Sequence, residues 1–273
     1  MLERSSALER VKRFDRELRE RAATRIVAHD FGMAIFCGDL PRVWDLNVAF
    51  LDVPLDRGDA DALIAEVEGI QTEARLRHRR LLVSDEKTAE LLLPRFMERG
   101  WTHAWWVFML HESAPDRPAP PEPAREVERA IARRVEEQAL REDEFIRDDD
   151  ALTQVLSGRD RLSAGTPARF FVGTSGDADV SVCTVYADGG VAQLEDVATL
   201  ALYRGQGCGR AVVHTALEAA RTASPEVVFV VADDGDWPKN MYRRLGFEPI
   251  GRALNLVREP APRVRARQPA ALS

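Results

Sequence analysis

Apolar residues along this chain change period at regular intervals, and the changes mark out its elements. "DADALIAEVEGIQTEARL" spaces its apolar positions three and four apart and reads as a helix, followed by "RRLLVSD", a short run of strand type. "EKTAELLLPRFMER" returns to helical spacing and stops at Gly100-Trp101, after which "HAWWVFML" reads as a strand. The series then recurs: a helix over Cys208 to Arg221, the strand "EVVFVVAD", a short helix "DWPKNMYRRL", Gly246-Phe247, and a strand-like run to about Val257. Gly100 and Gly246 fall where a helix has to stop, which suits a left-handed cap. The chain is therefore expected to use one pattern twice: helix, strand, helix, Gly-aromatic, strand.

Around this repeat, "MLERSSALERVKRFDRELRERA" is a charged helical pattern, and Arg125 to Arg141 and Asp148 to Leu162 also read as helices. "RFFVG", "DVSVCTVYA" and "GVAQLEDVATL" alternate like antiparallel strands, with turns at "DADV" and "ADGGV". "ESAPDRPAPPEPA", Glu112 to Ala124, carries prolines that a helix or central strand would not tolerate, so it reads as an extended linker. The expected division is 1–111, a linker over 112–124, a second domain over 125–260 and a disordered tail over 261–273. The fold class is α/β (α+β), with two domains, each a mixed, largely antiparallel sheet flanked by helices.

Composition narrows the setting. A length of 273 residues suits two domains. No stretch approaches the roughly 20 apolar residues that span a bilayer, and the charged start is not a signal peptide, so a cytoplasmic protein without a membrane partner is expected. The abundance of arginine and alanine points to a GC-rich bacterial genome. A net charge of −7 argues against nucleic acid as a partner. Cys37, Cys183 and Cys208 lack metal-ligand spacing and read as free thiols, so no metal is expected.

The densest chemistry is "YRGQGCGR", which runs straight into the helix beginning at Cys208. Such a turn leaves amides facing outward at the positive end of a helix, an anion site most natural for phosphate. Glycines let the ligand reach the backbone, and Arg204 and Arg210 add cationic reach. A plain strand-to-helix turn explains the same residues. A dinucleotide is the rival ligand, but the spacing is G-x-G-x-G and the preceding strands look antiparallel. Too little chain also remains after Asp233 for a doubly wound sheet.

"LEDVATLALYRGQGCGRAVV" followed by "DWPKNMYRRLGFEPIG" resembles the GNAT superfamily of N-acetyltransferases. Arg204, Gly207 and Gly209 match its Q/R-x-x-G-x-G/A loop; Tyr242, Gly246 and Phe247 match its second motif. The resemblance covers roughly Glu126 to Arg258. The first half resembles the same fold without its loop, as in tandem members with one degenerate copy, and Phe96 falls opposite Tyr242. What the resemblance implies is acetyl-coenzyme A as co-substrate, its diphosphate on the amides of Gly205, Gln206, Gly207, Cys208, Gly209 and Arg210. The pantetheine arm would pair with the backbone of Val197, Ala198 and Thr199. Family members place an Asn about seven residues before the Tyr, against the coenzyme; here Gly235 and Asp236 stand there.

Acetyl transfer to an amine needs one proton removed from an ammonium of pKa about 10 and one returned to the departing thiolate. Tyr242 is the expected general acid, on a short helix that Asp236 would N-cap. Glu195, ahead of Asp196, is the expected base; strand alternation lets only one of the two face the substrate, and both could equally be solvated or arginine-paired. The backbone N–H near Val197 would polarise the thioester carbonyl. His214 reads as structural, "REDEFIRDDD" as a solvated helix end, and "WTHAWWVF" as core and interdomain packing. The acceptor is open between a small-molecule amine and a protein N-terminus, and the oligomeric state is open. A non-catalytic acyl-coenzyme A sensor or scaffold and a dinucleotide oxidoreductase are the competing readings.

Overall fold

Two glycines set how each half of the chain ends, in a computed structural model that describes residues 3–118 and 123–259. Gly100 (φ 78°) closes α3 (Glu86–Glu98) and Gly246 (φ 90°) closes α7 (Pro238–Arg244), both in the left-handed region expected of a cap. Each then releases the chain into a long strand, β5 (Thr102–His111) and β11 (Phe247–Arg258). The tail over 261–273 lies outside the described residues, as do 119–122 of the proline-rich linker.

The rest of the first half is α1 (Arg4–Ala22), β1 (Arg25–His29), β2 (Gly32–Phe36), β3 (Val48–Leu51), α2 (Ala60–Glu73) and β4 (Arg79–Val83). The second half adds β6 (Ala124–Val127), α4 (Arg129–Arg141), α5 (Asp149–Gly165), β7 (Ala168–Ser175), β8 (Ala178–Asp188) and β9 (Val191–Thr199). It continues with α6 (Cys208–Thr222) and β10 (Val227–Asp233). The helix expected from Arg125 starts instead at Arg129. Ala124–Val127 is extended because its backbone pairs antiparallel with Phe170–Gly173 of β7.

The fold is mixed α/β, a mostly antiparallel sheet flanked by helices, but the two expected sheets are one. Among the described residues eleven strands run in the order β1-β2-β3-β4-β11-β5-β10-β9-β8-β7-β6. Of their pairings, β3/β4 and β9/β10 are parallel and the rest antiparallel. The two halves exchange their last strands: β5 pairs with β10 of the second half, β11 with β4 of the first, and the exchanged strands pair with each other. The antiparallel β7-β8-β9 meander is also incompatible with a doubly wound dinucleotide fold.

Side-chain alternation makes this exchange hydrophobic on both faces. Val107 and Met109 of β5 are buried in the core beneath α6, whereas Leu254 and Leu256 of β11 are buried beneath α2 and α3. At about 2 kcal/mol for each such side chain, neither core is complete without the other half's strand. On the opposite face, Val11, Phe14 and Leu18 of α1 cover Phe108 and Ala253 at the junction. No helix among the described residues is long and apolar enough to cross a membrane.

Gly246 is held more tightly than Gly100. Its carbonyl accepts the Glu112 and Ser113 N–H groups, and a Cβ there would lie 1.9 Å from the Ser113 oxygen. A Cβ at Gly100 would meet nothing within 4 Å. Gly246→Ala is therefore expected to lower the unfolding free energy by about 2–4 kcal/mol and Gly100→Ala by only about 1 kcal/mol. Urea denaturation of the two variants checks the ordering.

Candidate active site

The site begins where β9 leaves β10. The two strands pair only through Val191–Leu194 and Val227–Val230, yet β9 runs on to Thr199 and β10 to Asp233. A bulge in β9 causes the parting. Glu195 pairs with Thr184 but Ala198 with Val182, so the β8–β9 register slips, and Asp196 takes φ 55°. A left-handed non-glycine residue costs about 1–3 kcal/mol, and Asp196 is held there by Arg159 of α5, its Nε 2.8 Å from the carboxylate. The result is a slot walled by Val197, Ala198 and Thr199 without a β10 partner. The first half lacks this feature: β3 pairs with β4 up to Leu51, its last residue.

At the mouth of the slot lies the glycine loop, with Gly205 and Gln206 exposed. Gly205 (φ 75°) and Gly207 (φ 95°) both need left-handed backbone. Gly207 is the N-cap of α6, and the first helical bond runs from Ala211 N–H to its carbonyl. The amides of Gly209 and Arg210 therefore have no intrahelical acceptor. A Cβ at Gly205 would point into open space, whereas one at Gly209 would lie 2.8 Å from Thr199 Oγ1. The first glycine serves turn and approach; the last serves helix-to-strand packing. Gln206 Nε2 donates to the Leu202 carbonyl, and the carbonyl of buried Cys208 accepts from Ser181 Oγ.

The two loop arginines part company. Arg204 stays exposed, its Nε donating to the Thr199 carbonyl at 3.0 Å. The guanidinium of Arg210, expected to reach a phosphate, is buried instead under the linker. It donates to the Arg117 carbonyl at 2.9 Å and pairs with Asp116 at 3.4 Å. Only its backbone remains at the loop.

Tyr242 sits one turn into α7, buried against Phe247 with ring centroids 6.0 Å apart, in the core that also holds Cys183. Burial first, then Cys183 and Glu195, hold its phenol well above the usual range, so it keeps its proton. Phe96 occupies the matching place in the first half, edge-on to Trp101 at 5.2 Å. Asp236 does not N-cap α7. Trp237 is the N-cap, and the Asp236 carboxylate accepts the Trp237 N–H at 2.6 Å within the preceding turn.

Behind the slot is a cavity of about 280 Å³, and both Glu195 and Asp196 line it. Alternation had allowed only one to face inward; the left-handed turn at Asp196 breaks the alternation and presents both. Their environments differ. Asp196 has Arg159 as a partner, while Glu195 accepts from the neutral amide of Gln193. Burial, then Asp196 and Asp15, push the Glu195 carboxyl up to about 8 against the pull of Arg19. Burial also raises Asp196, despite Arg159.

Several cavity residues had no signal in the sequence: Arg19 of α1, Asp45, Arg159, and Tyr186 of β8. Trp106, expected as packing, lines the cavity as well, because the exchange sets β5 beside β10 with Trp106 opposite Asp233. The acidic stretch over 141–150 behaves as a helix end, with Asp148 capping α5 through the Ala151 N–H. It also sends Glu142 to the Ala201 N–H, 2.7 Å away, just ahead of the loop. His214 lies half-buried on α6, four residues beyond the first helical turn.

Residues 166–249 match the family model of an acetyltransferase (GNAT) domain. No curated protein matches the sequence. Among solved structures, a functionally unknown conserved protein from Staphylococcus epidermidis superposes with a TM-score of 0.70 at 15% identity, covering 87% of this chain and 94% of that one. A GCN5-related N-acetyltransferase from Kribbella flavida gives 0.65 at 18% identity, covering 94% and 97%. A tandem GNAT protein from the clavulanic acid biosynthesis pathway gives 0.52 at 16% identity, covering 79% and 76%. At these identities the likeness is one of fold, and in the first two it extends over both halves.

The raised Glu195 carboxyl has a consequence for stability. The folded protein holds this proton more tightly than the unfolded chain, so the contribution is present below about pH 4.5 and lost as pH rises through about 8. Glu195→Gln removes the buried charge. Its melting temperature is expected to match that of the parent at pH 5 and to exceed it by roughly 2–5 °C at pH 9; calorimetric scans at the two pH values check this.

Proposed function

We propose that the protein, whose residues 166–249 match the acetyltransferase (GNAT) domain, transfers an acetyl group from acetyl-coenzyme A to a primary amine seated beside Glu195. The observation that carries this reading is the parting of β9 from β10. It leaves Val197, Ala198 and Thr199 without a β10 partner, between the glycine loop at the start of α6 and the cavity lined by Glu195 and Asp196. The residues fit the co-substrate. Amides at the start of α6 suit a diphosphate, and the free edge at Val197, Ala198 and Thr199 suits an amide-bearing arm that adds like a strand. Arg204 is the exposed cation on hand, and Asp236 lies at the turn before α7.

Bound acetyl-coenzyme A supplies an activated acetyl thioester. The chain's own residues handle protons and charge. An acceptor ammonium with a pKa of about 10 has to become an amine before it attacks, and a carboxyl near 8 is better matched to that proton than an ordinary one. Glu195 therefore serves as the base, directly or through one water. Asp196, tied to Arg159, keeps the cavity wall negative and in place. The Val197 N–H stabilises the developing oxyanion in this reading, as preorganised amides do. Tyr242, which stays protonated, returns a proton to the departing thiolate. The acceptor is a small-molecule amine or a protein N-terminus, and the first half supplies the far wall of its site.

Tyr242→Phe is expected to lower kcat by about 10²-fold with little change in KM for acetyl-coenzyme A. Free-thiol release across an amine library measures this; an unchanged rate would remove Tyr242 as the acid, and no amine-dependent release from the parent would leave the protein a coenzyme binder and no transferase. Gly207→Glu places a carboxylate where the diphosphate is held. Titration calorimetry is expected to show acetyl-coenzyme A binding lost while the circular dichroism spectrum is unchanged.

A further inference from the structure

Asp15 of the first half reaches Gln193 of the second. This residue of β9 is fully buried, and its Nε2 donates to two carboxylates at once: Asp15 Oδ1 at 3.0 Å, from α1, and Glu195 Oε1. Its own Oε1 has no hydrogen-bond partner among the described residues. A buried acceptor left bare costs about 1–3 kcal/mol, so the amide is oriented by the two carboxylates rather than by the packing of its oxygen. Asp15 is itself buried and fixed, its Oδ2 2.6 Å from Arg19 Nη1 one turn along α1.

The other charges around Glu195 are already matched. Arg80 of β4 pairs with Asp45 at 2.7 Å, and Arg159 of α5 pairs with Asp196 at 2.8 Å. Tyr186 of β8 lies 3.5 Å from Asp196, and Asp233 of β10 lines the cavity with its carboxylate on the Gly235 N–H. Glu195 is held by a neutral side-chain amide, and that amide is held by the first half.

We propose that Asp15 and Gln193 are positioning residues: helix α1, from the half without a coenzyme loop, fixes the Glu195 carboxyl through the Gln193 amide so that it faces the acceptor cavity. This extends the reading of Glu195 as the base. The two residues act on Glu195 in opposite senses. The Asp15 charge disfavours ionisation of Glu195, whereas the Gln193 donor favours it. Removing each should therefore move the Glu195 proton in opposite directions, which simple loosening of the site would not do.

The test is carboxyl-carbon NMR titration of the full chain carrying ¹³C-labelled glutamate, with Glu195→Gln to identify the resonance. The parent is expected to show Glu195 titrating near 8, raised by burial, Asp196 and Asp15. Asp15→Asn, which keeps the shape of the side chain, is expected to lower that midpoint by about half a unit or more, and Gln193→Met to raise it. A parent midpoint in the ordinary carboxylate range would overturn the proposal without any variant. So would folded variants whose midpoints stay within about 0.2 unit of the parent or shift the same way. Once an acceptor amine is found, the acidic limb of kcat/KM is expected to follow the NMR midpoints. Shifted midpoints without any amine acetylation would leave the positioning chain standing and remove the transferase reading instead.

Discussion

The bulge at Asp196 is the constraint on which the site depends. A parallel pair of strands would otherwise stay closed along its length, as β3 and β4 do in the first half. One residue in left-handed backbone moves the end of β9 out of reach of β10, and the Arg159–Asp196 ion pair holds that residue in place. The same turn presents Glu195 and Asp196 to the same cavity. Slot, cavity and carboxylate pair thus share a single local cause, and the strain is stored at the candidate site.

The reciprocal exchange of β5 and β11 gives the first half a role beyond repetition. Because β5 lies against β10, Trp106 stands beside Asp233 at the cavity, and α1 packs across the junction over Phe108 and Ala253. The first half keeps the sheet and the aromatic pair, Phe96 on Trp101, but it has neither the parted strands nor the phenol. Its contribution is therefore made through what it places against the second half: Trp106, Arg19, Asp45 and Asp15.

Charge in the cavity follows one pattern. Each arginine is matched by a carboxylate of the protein itself, and Glu195 is met by the side-chain amide of Gln193. Burial then works on Glu195 with little opposition, which raises it into the range where proton exchange with an amine is practicable. Asp45 shows the contrast: desolvation by the surrounding protein works to raise it although its side chain reaches solvent, but Arg80 and Arg19 hold it below its ordinary value.

The sequence alone determined those features that depend on neighbours along the chain. Helical spacing, strand alternation, the glycine caps at Gly100 and Gly246, the loop at Gly205 to Gly209, and the pairing of Phe96 with Tyr242 by pattern were all legible there. Period and left-handed backbone are local properties, and they survive in one dimension. The partner of a strand is not local. Nothing in "HAWWVFML" says that it lies beside "EVVFVVAD" rather than "RRLLV", since all three are apolar enough for either bed. The extended start at Ala124, the burial of Arg210 under the linker, the inward turn of Glu195 together with Asp196, and the reach of Asp15 through Gln193 were likewise decided by tertiary packing. A side chain's partner across more than a hundred residues is set by which surfaces close on each other, and only the folded sheet specifies that.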